Sequence, residues 1–142
     1  MYEYKAKLRE IIDGDTIDVE IDLGFGTYKN ARLRLKGIDT PETRTSRKKE
    51  KKAGKLVELF VEKLLDRSGA MTIRTYKDGK GSFGRYIADI YIDELDISLN
   101  DYLLNNKFAR VYRSGAPEWR GKTLNNIIKE LTFLETNKLK GE

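Results

Sequence analysis

Residues 17–23, Ile-Asp-Val-Glu-Ile-Asp-Leu, alternate without a break between apolar and acidic side chains. A period of two is that of an extended strand with one dry face and one wet face. This run therefore commits the chain to a sheet with a buried side. The glycine-bearing GFGTYKN follows as a hairpin connection, and Asn30 to Ile38 reads as the returning strand with Leu33 and Leu35 turned inward. Upstream, Tyr4 to Ile11 alternates only loosely.

Beyond the stretch GIDTPETR (37–44) the period changes. Leu56, Leu59, Phe60 and Leu64 recur at spacings of three and four, marking a helix that stops near Ser68-Gly69. Met71 to Tyr76 and Arg85 to Ile92 read as two further strands joined by KDGKGSFG. Ser98 is placed to cap a short helix, with Asp101 three positions on, and Leu124, Ile127, Ile128, Leu131 and Leu134 mark a last helix. Three strands, a helix, two strands and two helices predict an α+β fold: a five-stranded Greek-key barrel of the OB type carrying three α-helices. Nothing interrupts the pattern as a linker would, so residues 1–142 read as a single domain.

Composition narrows the chemistry. Charged residues make up 36% of the chain, the net charge is +5 and the pI is about 9.3. Such a balance favours an anionic partner, of which nucleic acid is the commonest. There is no histidine and no cysteine, which excludes the usual zinc sites, disulfides, cysteine nucleophiles and histidine bases. Catalysis, if any, falls to carboxylates, arginine, lysine, tyrosine or an oxygen-ligated metal. No stretch approaches the roughly 20 apolar residues of a membrane span, and MYEYKAKLRE lacks the apolar core of a signal peptide. The expectation is a cytoplasmic protein with no membrane partner, or the mature form of a secreted one, and a monomer by default.

IDGDT (12–16) reads in isolation as a turn, since Asp-Gly pairs favour turns. By strand parity, however, Asp15 points with Ile17 and Val19 toward the buried side. A carboxylate there is costly without a partner. Antiparallel pairing of 15–23 with 30–38 brings Asp39 to the same end of the sheet, and two adjacent carboxylates repel unless a cation intervenes. Oxygen-only ligation points to calcium or magnesium, and calcium better tolerates irregular geometry and open positions. Glu42 follows Pro41 in a turn that the proline stiffens, either as a solvated turn residue or as a positioned base.

Arg34 projects from the face opposite Leu33 and Leu35, and Arg85 opens the last strand. Two guanidinium groups near a metal suit a phosphate whose charge grows in a transition state. From Arg44 to Lys55 there are seven basic residues against one acid, Glu50, so that Lys48, Lys49 and Lys51 can hold a polyanion without reading bases. Phe83 and Tyr112, and less so Tyr76 and Trp119, offer stacking faces for unpaired bases.

IDGDT, RLKGIDTPET and FGRYIADIY, in this order, resemble the staphylococcal (micrococcal) nuclease family, and the likeness runs from about Leu8 to about Tyr112. The resemblance implies a calcium-dependent nuclease that hydrolyses DNA or RNA, preferably single-stranded, and leaves 3′-phosphate ends. It implies that Asp15, Asp39 and the main-chain carbonyl of Thr40 bind Ca2+. It also implies that Glu42 is the general base and that Arg34 and Arg85 hold the scissile phosphate. Ser82 and Phe83 stand where the namesake enzyme has a lysine and a tyrosine, and the LGFGTYKN hairpin looks longer. The alternative is a non-catalytic OB module that binds nucleic acid or protein, but such a module has no need of all five charged positions together.

Overall fold

The computed structural model describes residues 2–76 and 85–140, apart from the side chains of residues 85 and 137–140. In chain order the elements are β1 (Tyr2–Asp13), β2 (Thr16–Asp22), β3 (Tyr28–Leu35), β4 (Ile38–Asp39), α1 (Lys48–Ser68), β5 (Ala70–Tyr76), β6 (Arg85–Tyr91), α2 (Leu99–Asn105), β7 (Arg110–Val111) and α3 (Gly121–Lys140). Five strands close a barrel in the order β1-β2-β3-β6-β5, with β3 and β6 parallel and every other pair antiparallel. The expected OB-type barrel with three helices is therefore present. Ile17, Val19, Leu33, Leu35, Ile73 and Ile90 fill it and are fully excluded from solvent.

The loose alternation of the first strand has a local cause. The β1–β2 register shifts between Leu8 and Glu10 and again between Ile11 and Asp13. Each shift inserts a residue that breaks parity, so the buried Ala6 and Ile11 are not an even number apart. Upstream of both shifts, β1 also pairs with β5 over Tyr2 to Lys7.

Three expectations need correction. First, the returning strand stops at Leu35, not Ile38. Gly37 takes φ 77°, a left-handed turn, and Ile38-Asp39 leaves the barrel to pair with Val111 and Arg110. That two-residue ladder is too short to show any period in sequence.

Second, the buried face of α1 is centred on Ala53, Gly54, Val57, Val61 and Leu65; Leu56, Phe60 and Leu64 flank it half-buried, and Leu59 is exposed. Small side chains win because the helix lies directly on backbone. A methyl group on Gly54 would sit 2.6 Å from the Pro41 carbonyl oxygen and 2.8 Å from that of Glu42. Third, Leu134 in α3 is exposed, while Leu124, Ile127 and Leu131 are buried.

The Ser98 cap is as expected: its Oγ accepts from the Asp101 N–H at 3.0 Å. Buried Asn100 then fastens α2 to the barrel, donating to Lys36 and Ala88 carbonyls and accepting from the Ile90 N–H.

Candidate active site

The site lies where β1–β2, β3–β4 and the start of α1 meet. Asp15 occupies the turn before β2, and its backbone carbonyl accepts from the Leu35 N–H at 2.8 Å, which pins the turn to the end of β3. Its side chain is buried, as parity suggested. Arg34 alternates with the buried Leu33 and Leu35, as parity placed it. Asp15 precedes the strand and swings across, so that Arg34 Nη1 pairs with Asp15 Oδ1 at 3.1 Å. Thr16 Oγ1 donates to that same oxygen, and the Thr40 N–H donates to Oδ2 at 3.1 Å. The buried carboxylate thus has the partner that burial demands.

Arg34 is held on three sides. Its Nη2 donates to the Ile38 carbonyl at 3.1 Å, and its guanidinium lies 5.0 Å from the Tyr112 ring centre. Its remaining N–H donors have no partner among the described residues and can meet an anion. Tyr112 itself is exposed and anchored by its backbone N–H to the Gly37 carbonyl. The expected stacking face and the arginine expected to hold phosphate are therefore neighbours.

Asp39 pairs through Oδ2 with Arg110 Nε at 3.0 Å, and Arg110 in turn packs 4.5 Å over Trp119. Burial is the largest influence on Asp39 and holds its pKa above the usual carboxylate value; Arg110 opposes this, and the nearby charge of Asp15 adds to it. Asp15 and Asp39 are thus close enough to repel. Glu42 is exposed yet raised in the same direction, first by partial loss of water and then by Asp13, Asp15, Asp39 and Glu50. A carboxylate so placed accepts a proton more readily than an isolated one.

The turn carrying Glu42 is clamped from below. Glu50, buried at 5% exposure, accepts the Glu42 N–H at 3.0 Å through one oxygen and pairs with Arg47 through the other. Arg47 reaches on to the Trp119 carbonyl at 2.9 Å. Thr43 Oγ1 donates to Asp13 at 2.8 Å. Gly54 admits the turn to the helix, and Gly14 does the same for Thr40, since a methyl there would meet Thr40 Oγ1 at 2.9 Å and Val57 Cγ1 at 2.8 Å.

None of Arg47, Glu50, Gly54 and Arg110 was singled out in sequence. Two carried a signal: Glu50 is the lone acid in a cationic run, and a mid-helix glycine costs about 1 kcal/mol unless something needs the room.

A cation could be held by Asp15, Asp39 and the Thr40 carbonyl. Among the described residues no three acidic side chains converge into a cage. Thr40 Oγ1 is buried without a hydrogen-bond partner among the described residues, an unsatisfied oxygen at the same corner. Two repelling carboxylates beside neutral oxygens fit a hard, oxygen-ligated ion that keeps water or substrate in its other positions.

Lys48, Lys49 and Lys51 are exposed around the first turns of α1, beside the clamped turn. Arg85 begins β6, its backbone paired with Arg32 of β3, one strand over from the site. Ser82 and Phe83 lie outside the described residues.

A small closed barrel with a clamped acidic turn, ion-paired arginines and a basic helix start defines the class: an OB-type domain with a polar corner at one end of its barrel. The sequence model of the family described as staphylococcal nuclease homologue matches residues 32–130. The chain belongs to that family, whose members are nucleases acting on nucleic acid. An uncharacterized protein of Methanocaldococcus jannaschii is 30% identical over 130 residues, covering 78% of this chain and 60% of its own length. An uncharacterized protein of Bacillus anthracis is 31% identical over 94 residues, covering 66% and 42% respectively. The chain thus spans less than two thirds of each relative. No helix among the described residues is long and apolar enough to cross a membrane.

Proposed function

We propose that the domain is a calcium-dependent phosphodiesterase that hydrolyses single-stranded DNA or RNA and leaves 3′-phosphate ends. The observation that carries this reading is the convergence of Asp15, Asp39, Arg34 and the Glu42 turn at one end of the barrel. Asp15, Asp39 and the Thr40 carbonyl would hold the calcium ion, which when bound would supply fixed positive charge to the phosphate. Glu42 removes a proton from a water as its oxygen bonds to phosphorus. The 5′-oxygen leaves with its bonding pair and takes up a proton, and the phosphate stays on the 3′ side. Arg34 holds the non-bridging oxygens with the donors that Asp15 and Ile38 leave unused, and Arg85 is the second guanidinium proposed there. Exposed Lys48, Lys49 and Lys51 hold the flanking backbone, and Tyr112 stacks a base.

The test is cleavage of single-stranded DNA and of RNA with calcium and with chelator, followed by identification of the new ends. Cleavage that needs calcium and yields 3′-phosphate supports the reading. Equal cleavage in chelator, or 5′-phosphate ends, overturns it.

A further inference from the structure

Beyond α2 the chain makes an expensive turn. Lys107 takes φ 63°, the left-handed conformation that follows many helices and that glycine adopts without strain. Its N–H bonds the Leu104 carbonyl at 3.0 Å, and the Phe108 N–H bonds that of Leu103 at 2.9 Å. This lysine lines an open cavity of about 600 Å³ between the end of α2 and one face of α3. Lys122, Asn126, Lys129 and Phe133 line that face at spacings of four, three and four. Phe108 lies buried among the lining residues, whereas Phe133 is 62% exposed. None of the three lysines makes an ion pair among the described residues, and Glu130 is the one acid in the lining.

Volume, charge and ring together describe the occupant. The cavity has the size of a small-molecule pocket, large enough for a nucleotide. Lysines suit phosphate as point charges, and an exposed ring beside them suits a base. The groove's helix also adjoins the basic start of α1. Lys49 Nζ of α1 comes within 4.0 Å of where a side chain on Gly121 would begin, one residue before Lys122. At its other end, Phe108 is two residues from Arg110, the partner of Asp39.

We infer that this groove is a second contact for the nucleic-acid strand, holding a nucleotide that flanks the one at the barrel end. The inference rests on the reading of the domain as a nucleic-acid-cleaving enzyme. A strand long enough to cross from the site to α3 gains affinity from the groove, and a strand too short to do so gains none.

The experiment measures fluorescence anisotropy, in chelator, of single strands of about 16 and about 4 nucleotides. The variants are Lys107→Gly, the pair Lys122→Gln with Lys129→Gln, and Phe133→Ala. Lys107→Gly removes charge and relieves the left-handed strain together, so its melting temperature holds or rises while binding falls. Each variant weakens the long strand by about tenfold and leaves the short one unchanged, and the lysine pair also flattens the salt dependence. Loss on both strands alike, or on neither, overturns the groove, as does its preferential occupation by an acidic peptide. Calcium-dependent cleavage of the short strand reports separately on the catalytic reading. A protein that cuts while its groove variants bind normally loses only the groove. One that binds through the groove and cuts nothing loses only the catalysis.

Discussion

The two ends of the β2–β3 pair invert the usual distribution of side chains. At the Asp15 end, charged groups are buried and held by tertiary bonds: Asp15 to Arg34 and to the Thr40 N–H, and Asp39 to Arg110. At the hairpin tip, Leu23, Phe25 and Tyr28 are exposed, Phe25 completely. The tip is held by its own turn, with Leu23 N–H to the Thr27 carbonyl and Thr27 N–H to that of Gly24, both at 2.9 Å. The same two strands thus end once in costly chemistry that must be over-determined and once in a local turn that needs nothing else. Burying charge is tolerated where many groups share it, and that concentration makes this the candidate functional end.

The largest expected effect tests whether the clamp under Glu42 is structural to the site. Gly54→Val drives a branched side chain into the carbonyls of Pro41 and Glu42. Overpacking of this kind costs about 1–3 kcal/mol, and a shift of the turn by about 1 Å lowers cleavage about a hundredfold. Denaturant unfolding and rate together check it; an unaffected variant would mean that the helix does not support the turn.

Arg34→Met comes next. It leaves buried Asp15 without its guanidinium partner, costing about 2 kcal/mol at neutral pH in chelator, discounted for partial exposure. Urea midpoints of the variant and the wild type measure the loss. At the opposite end, Phe25→Asn changes stability by less than about 0.5 kcal/mol, in the favourable direction if at all, since asparagine accepts the φ of 56° more easily. Cleavage stays at the wild-type rate.

The smallest effect lies midway between the two ends. Arg32 bonds Asp18 at 2.8 Å and lowers its pKa below the ordinary 3.8. A depressed carboxylate stabilises the fold above its unfolded pKa and loses that contribution as pH falls through the folded value. Asp18→Asn therefore lowers the melting temperature slightly at pH 6 and not at all well below pH 3.8.

The sequence was most legible where structure is local. The strict alternation of Ile17 to Leu23, the Ser98 cap and the proline-stiffened turn at Asp39 and Glu42 each carry their own instruction, so the barrel and the meeting of Asp15 and Asp39 at one end of it could be read. The rest depends on partners far along the chain. Nothing near Asp39 announces Arg110, 71 positions away. The buried face of α1 follows from the backbone of residues 41 and 42, not from the helix's largest side chains. The Asp15–Arg34 pair escaped parity because one member lies in a turn, where parity does not apply.

The central claim is that the polar end of the barrel is catalytic and not merely a binding surface. Glu42→Gln tests it most directly, through single-turnover cleavage of a single strand with calcium alongside binding of the same strand in chelator. The expected result is a rate lower by about 10²–10⁴-fold with binding unchanged within about twofold. A variant that cleaves at the wild-type rate, or one whose binding falls as far as its rate, would contradict the assignment of Glu42 as the base.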